Sequence, residues 1–175
     1  GDNTFADTID GTGNIYVKSG ESTLGAVSQT SINTQSGAEL NLAGSSSANL
    51  VNAGTTNISG NLTGNVNNSG ELYSDFEKIS GNISNSGTFH VSGGDNSNSI
   101  TGSGTLAIEN NASNSSAISQ NSISVAQDKT FTNSAGVTTS TLSNSGTIQN
   151  DNILNVTGTT SLGAITGSGT LNISG

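Results

Sequence analysis

The segment Ile83-Ser-Asn-Ser-Gly-Thr-Phe-His-Val91 carries the pattern that decides the fold of this chain. It begins with an apolar residue, continues with three small polar residues and a glycine, and ends with polar and apolar residues in alternation. Apolar side chains at every second position predict a β-strand with one buried face. A helix is disfavoured because glycine and β-branched residues are dense, and only Tyr73–Ile79 could form a helical turn.

Copies of this pattern run along the sequence, each anchored on the glycine before its strand or on an asparagine in that place. The anchors, separated by 16–25 residues, are Gly13, Gly37, Gly54, Gly70, Gly87, Gly104, Asn121, Gly146 and Gly169. Such steps are too short for a hairpin and a crossover in each unit, so we predict an all-β parallel β-solenoid of about nine coils. At the spacing of paired strands it would be about 40 Å long. The longest steps, after Gly13, Asn121 and Gly146, predict loops that bulge from standard coils.

Two further predictions concern the corners between strands. The anchor glycines fit corners with positive φ, which glycine adopts without penalty. Asparagine is the next most tolerant residue at such a position. The recurrent Asn67, Asn68, Asn85 and Asn144 have two interpretations: they stack into amide ladders, or they serve only as turn formers.

Composition restricts the partners of the chain. It has 175 residues, enough for one solenoid domain over residues 1–175, and a net charge of −9 with a pI near 4.1. Its only cations, Lys18, Lys78 and Lys129, cannot form the basic patch that nucleic acid or an anionic membrane requires. No segment approaches the roughly 20 apolar residues of a membrane helix, and residues 1–20 lack the pattern of a signal peptide. Without cysteine, the redox compartment stays open.

The sequence predicts no catalytic, cofactor-binding or metal-binding residue, and therefore no enzyme and no cofactor. His90 is the only histidine, and its place between Phe89 and Val91 points it outward as a solvated strand residue. No serine and aspartate can be assigned to it as partners for nucleophilic catalysis. Asp75 and Glu77 could form a carboxylate pair, although solvated charges are the preferred interpretation.

Three alternative functions are weaker. Calcium would use the oxygens of Gly93-Gly-Asp95-Asn96 or of Asp2, Asp7 and Asp10, but the spacing of calcium-binding nonapeptide repeats is absent. A β-helical polysaccharide-processing enzyme is disfavoured because the lysines lie in different coils. An ice- or surface-binding face would need two aligned threonine columns. The sequence predicts one such column, without a second beside it, at Thr55, Thr88, Thr105, Thr147 and Thr170.

The two ends of the sequence match each other. Leu171-Asn-Ile-Ser-Gly175 followed by Gly1-Asp-Asn3 reproduces the pattern of residues 89–96. The step from Gly169 to Gly13 of a second copy would have the length of one ordinary coil. We therefore expect residues 1–175 to be one segment or repeat unit of a longer array, either tandem in one chain or stacked between chains. The alternative is a segment of an irregular solenoid.

Three short phrases, Asn144–Ile148, Gly102–Leu106 and Gly167–Leu171, resemble the passenger repeats of bacterial autotransporter and filamentous haemagglutinin-like adhesins. The likeness extends over nearly the whole chain and rests on short motifs. It implies a right-handed parallel β-helix that is secreted and displayed on the bacterial cell surface as a stalk, fibre, filament or adhesive surface. The implied partners are further copies of the chain and glycans or proteins of a host or neighbouring cell.

Overall fold

The computed structural model describes residues 2–175, which form 26 β-strands and one turn of 3-10 helix at Phe76–Lys78. The first nine strands are β1 (Asn3–Phe5), β2 (Ile9–Asp10), β3 (Asn14–Val17), β4 (Gly20–Leu24), β5 (Val27–Thr34), β6 (Ala38–Leu42), β7 (Ser46–Asn52), β8 (Thr55–Ile58) and β9 (Leu62–Thr63). The middle nine are β10 (Val66–Asn68), β11 (Glu71–Ser74), β12 (Ile79–Ser80), β13 (Ile83–Asn85), β14 (Thr88–Val91), β15 (Gly94–Asn96), β16 (Ile100–Thr101), β17 (Thr105–Ile108) and β18 (Ala112–Asn114). The last eight are β19 (Ile118–Val125), β20 (Thr130–Asn133), β21 (Val137–Asn144), β22 (Thr147–Asn150), β23 (Ile153–Val156), β24 (Thr160–Ser161), β25 (Ala164–Thr166) and β26 (Thr170–Ile173).

The strands build a parallel β-solenoid with three faces, here called A, B and C, which confirms the predicted fold. The chain passes through A, B and C in that order in each of about ten turns, numbered from the N-terminus. Face A contains β1, β4, β6, β8, β11, β14, β17, the second halves of β19 and β21, and β24. Face B contains β2, the first halves of β5 and β7, β9 and β12, and then a separate sheet of β15, β18, β20, β22 and β25. Face C contains β3, the second halves of β5 and β7, β10, β13, β16, the first halves of β19 and β21, β23 and β26.

The register corrects how the anchors were assigned to coils. Paired residues of successive turns are 16–19 residues apart, as between Asn52 and Asn68 and between Asn114 and Asn133. Gly13 and Gly169 precede strands of face C and Gly146 precedes a strand of face B, whereas the other anchors precede strands of face A. Each of the longest steps is therefore one turn plus one face, and the bulged loops predicted there are wrong.

Most of the anchor glycines are required for close stacking of the turns and not for positive φ. A Cβ would lie within 2.3 Å of a backbone oxygen of the preceding turn at Gly54, Gly70, Gly87, Gly104, Gly146 and Gly169, whereas at Gly13 it meets only the Gln29 side chain and at Gly37 it meets nothing within 4 Å. Of the nine anchors only Gly37 has positive φ, at +80°. A Cβ on Gly70 would lie 2.0 Å from the carbonyl oxygen of Gly54, and one on Gly87 would lie 2.1 Å from that of Gly70. No real Cβ contact is so short, so the glycine column exists because consecutive backbones touch there.

Inward side chains stack in columns that form the core. On face C one column is aliphatic in every turn, and its members are Ile15, Ile32, Leu50, Val66, Ile83, Ile100, Ile118, Val137, Leu154 and Leu171. Only the two end members, Ile15 and Leu171, are half-buried, and the others belong to the buried core. Each turn therefore covers the apolar surface of its neighbours, and no single turn can form a core alone.

Buried amides form two ladders inside the solenoid. At the corner between faces C and A, the Nδ2 of Asn52 donates to Asn68 at 2.7 Å and that of Asn68 donates to Asn85 at 2.8 Å. Asn85 in turn donates to Oε1 of Gln120 at 2.7 Å. A second ladder occupies the corner between faces B and C, with donor–acceptor distances of 2.7–3.1 Å between Asn96, Asn114, Asn133 and Asn150.

The ladder interpretation is confirmed for Asn68 and Asn85 and wrong for Asn67. The Asn67 side chain is exposed and makes no side-chain hydrogen bond to any described residue. Asn144 is buried, but it bonds to backbone, donating to the Ala164 carbonyl at 3.0 Å and accepting from the Gly146 N–H. The second ladder was not predicted.

Replacing Asn68 with alanine is expected to lower the free energy of unfolding by about 2–4 kcal/mol. Its buried amide donates to the carbonyls of Gly70 and Thr88 as well as to Asn85, and it accepts from Asn52. The substitution therefore removes four hydrogen bonds and leaves the buried Oδ1 of Asn85 without its donor. Asn67→Ala is the matched control and should change stability by less than about 0.5 kcal/mol. Urea unfolding followed by circular dichroism measures both, and equal midpoints would contradict a stabilising role for the ladder.

Candidate functional site

Face A carries most of the charged side chains that are held by hydrogen bonds. In turns 2–4 one outward column of this face contains Glu21, Glu39 and Thr55, and the column beside it contains Thr23, Asn41 and Asn57. Asn41 donates to Oε1 of Glu21 at 2.8 Å, and Asn57 donates to Oδ1 of Asn41 at 2.7 Å and to Oε1 of Glu39 at 3.0 Å. These contacts join three consecutive turns on the outside of the solenoid, as the amide ladders do on the inside.

The same face holds a cluster of Glu71, Tyr73, His90 and Glu109 in turns 5–7. Nε2 of His90 lies 2.8 Å from Oε2 of Glu71, and Nδ1 lies 2.5 Å from Oε1 of Glu109. The Tyr73 ring stacks on the imidazole, with ring centres 4.2 Å apart and planes 6° from parallel. These contacts follow from register, because His90 pairs with Tyr73 in the turn below.

His90 is predisposed to carry a positive charge. Partial burial, with 19% of its side chain exposed, lowers its pKa. The hydrogen bonds and negative charges of Glu109 and Glu71 raise the pKa by more, so the net result is a value above the usual 6.5. The outward direction predicted for His90 is confirmed, since Phe89 and Val91 are buried. Its expected free solvation is wrong, because two carboxylates and a tyrosine ring surround it.

Glu71 and Glu109 were not predicted as partners of His90, although their distance from His90 along the sequence indicates the contact. Glu71 lies 19 residues before His90, and Glu109 lies 19 residues after it. One turn is 16–19 residues here, so both residues fall near His90 in the turns on either side. Recognising this requires the turn length and the face assignment, and neither is obvious from one copy of the pattern.

The other carboxylates considered from the sequence lie exposed or half-buried at the surface. Glu77 lies exposed in the 3-10 turn, and Asp75 is the residue before that turn. The side chain of Asp95 accepts a hydrogen bond from the Ser113 hydroxyl. Among residues 2–175, no group of three or more histidine, aspartate or glutamate side chains is arranged to hold a metal ion. In the His90 cluster the reason is visible, since the carboxylates bind different nitrogens of the ring and do not converge.

The predicted threonine column is shorter than expected. Thr55, Thr88 and Thr105 share a register position on face A, but Glu71 interrupts them between Thr55 and Thr88. Thr147 belongs to face B and Thr170 to face C, so their inclusion was wrong. The outward residues two positions after Thr55 and Thr88 are Asn57 and His90. The described residues of face A therefore form no second row of threonines beside the first.

Two surface hollows are candidate binding sites, one beside the cluster and one on face B. One of about 300 Å³ lies beside the ring of Tyr73 and is lined by Asn57, Asp75 and Ser92 among others. Another of about 340 Å³ on face B is lined by Asp95, Asn111 and Thr130 among others. Among the residues that the structure describes, neither hollow is lined by a histidine, and in the one on face B the Ser113 hydroxyl donates to Asp95.

No helix within residues 2–175 is both long and apolar enough to cross a membrane. No protein-family model matches this chain, and no curated protein or solved structure matches it either.

Proposed function

We propose that this chain is part of a stalk or fibre on the surface of a bacterial cell, with a structural or adhesive role and no catalytic activity. The observation that carries the proposal is the unbroken stacking of about ten turns in register on faces A and C. Architectures of this kind bury a continuous core along one axis and present long surfaces. The likeness of the repeats to adhesin passengers supports the same conclusion.

Side-chain ladders suit this chain for a load-bearing role. Pulling two turns apart must break the backbone hydrogen bonds on the faces. It must also break buried hydrogen bonds between side-chain amides, such as that between Asn52 and Asn68. On the outside, the Asn41–Asn57 bond and the His90 cluster join neighbouring turns in the same way. In a buried network of this kind the hydrogen bonds also strengthen one another.

The exterior suits a protein exposed to water. A net charge of −9 and a surface of asparagine, serine and threonine keep a long rod soluble and disfavour lateral association. We extend the proposal to adhesion, in which glycans or proteins of a host or neighbouring cell bind the outward columns.

The register further supports continuation by a second copy of the ten turns, in the same chain or in another. Placed directly after Gly175, a second copy would bring its Asn3 one turn length after Thr160 on face A. On face C, its Ile15 would likewise follow Leu171 by one turn length. Both steps fall within the range of turn lengths that the structure describes.

Antibody labelling of intact bacteria that make the protein tests the proposed location. We expect antibodies against the folded solenoid to label unpermeabilised cells, and external protease to remove the label. An antibody against a cytoplasmic protein is the control for cell integrity. Labelling that appears only after permeabilisation would contradict surface display.

A further inference from the structure

The solenoid changes its internal construction between turns 5 and 7. Face B divides there into two sheets, because β12 and β15 do not pair. The 3-10 turn Phe76–Lys78 contacts β15 at the break. The first amide ladder ends in this region and the second begins at Asn96. Turn 6 is therefore a joint between two differently built halves.

A single hydrogen bond to a long side chain continues the first ladder from turn 5 to turn 7. In turn 6 the position equivalent to Asn85 is occupied by Gly102, which has no side-chain amide. Gln120 of turn 7 spans the gap and accepts from Asn85 of turn 5 at 2.7 Å. Gly102 has φ +124°, and a Cβ there would lie 2.2 Å from the Asn85 carbonyl oxygen. One hydrogen bond thus replaces the two that a continuous ladder would make, and the interior holds these turns together less firmly.

The His90 cluster lies on the outside of the same three turns. Glu71 belongs to turn 5, His90 to turn 6, and Glu109 follows β17 in turn 7. A neutral imidazole has only one N–H and can donate to only one carboxylate, while its other nitrogen turns a lone pair toward the second. An imidazolium donates to both. We propose that Glu71, His90 and Glu109 form a pH-dependent clasp that holds turns 5, 6 and 7 together across the joint.

His90 is the group whose change of charge controls the clasp, as the neighbouring side chains show. From β11, Glu71 and the Tyr73 ring face it, and Asp75 lies at the corner beyond. From the β17 side, Glu109 faces it, and the residue paired with His90 is Ala107. In this surrounding the described structure pairs no lysine with a carboxylate, so the cation that balances Glu71 and Glu109 is the imidazolium.

The sign of the pH dependence follows from the raised pKa of His90. Below the unfolded value near 6.5, histidine is charged in both states and the clasp contributes fully. As the pH rises through the folded pKa, the contribution is lost and two carboxylates face a neutral ring. The contribution of His90 to the clasp is therefore complete below about pH 6.5 and is lost in alkaline solution.

Proton NMR of the wild-type protein tests the charge state directly. Because His90 is the only histidine, its ring signals need no further assignment. We expect a titration midpoint above 6.5. A midpoint at or below 6.5 would overturn the proposal.

Hydrogen exchange tests the mechanical consequence. We expect amide protection factors in turns 5–7 to fall roughly threefold to tenfold between pH 6 and pH 9, while those in turns 2 and 3 stay constant. His90→Gln should abolish this pH dependence, and so should Glu109→Gln, which retains the histidine if the first variant does not fold. Glu39→Gln is the matched control, since among residues 2–175 that carboxylate binds only the Asn57 amide. Protection that changes equally in wild type and in both clasp variants would overturn the proposal.

Discussion

Leu106→Asp is expected to unfold the solenoid, whereas Ile173→Asp leaves it folded. Leu106 is fully buried in turn 7, between Phe89 and Ile123 in the same column of face A. An aspartate there would be buried without a partner, which costs about 4 kcal/mol or more, a large part of the stability of a domain. Ile173 lies in turn 10 with 47% of its surface exposed, so a charge there keeps its water.

Circular dichroism and thermal melting measure both variants. Ile173→Asp should keep the β-sheet spectrum and lose less than about 1 kcal/mol. Leu106→Val, which shortens the side chain without adding charge, controls for lost packing and should cost about 1 kcal/mol. A native spectrum and an unchanged melting temperature for Leu106→Asp would show that the assigned register is wrong.

Gly87→Ala is expected to destabilise the protein by about 3 kcal/mol or more. The added Cβ would lie 2.1 Å from the carbonyl oxygen of Gly70 and 2.6 Å from the carbonyl carbon of Ser69. Both are backbone atoms, so no side-chain rotation can relieve the clash. The turns would have to separate, and the hydrogen bond from the Thr88 N–H to Gly70 would stretch.

Gly136→Ala is the matched control for this substitution. A Cβ at Gly136 meets no atom within 4 Å, and its φ is outside the left-handed region. We expect a change of less than about 0.5 kcal/mol. Urea unfolding of the two variants gives the comparison, and equal stabilities would mean that neighbouring backbones are farther apart than the structure has them.

Much of the fold could be predicted from sequence because a solenoid repeats one local rule. Alternation around Phe89 and Val91 identified strands with one buried face, and the spacing of the glycines identified stacking. The assignment of strands to faces could not be predicted in the same way. A glycine followed by alternating residues begins strands on all three faces, as at Gly13, Gly87 and Gly146. Only the length of one full turn separates these cases, and that length comes from the pairing of the strands.

The polar interior and the His90 cluster were predicted only in part, for a different reason. An asparagine at a corner can point inward or outward, and Asn67 and Asn68 are neighbours with opposite directions. Composition alone favours neither direction, because asparagine is also a common turn residue. The partners of His90 come from adjacent turns, so they appear only once register is known.

The most direct test of the proposed structural role is electron microscopy of the purified protein at rising concentration. About ten turns at the spacing of paired strands make a unit roughly 48 Å long. We expect rods that join end to end into fibres with this axial repeat, because the proposed continuation places the first turn of one copy after the last turn of another on faces A and C. Rods that stay dispersed at every concentration, each about one unit long, would contradict assembly between chains.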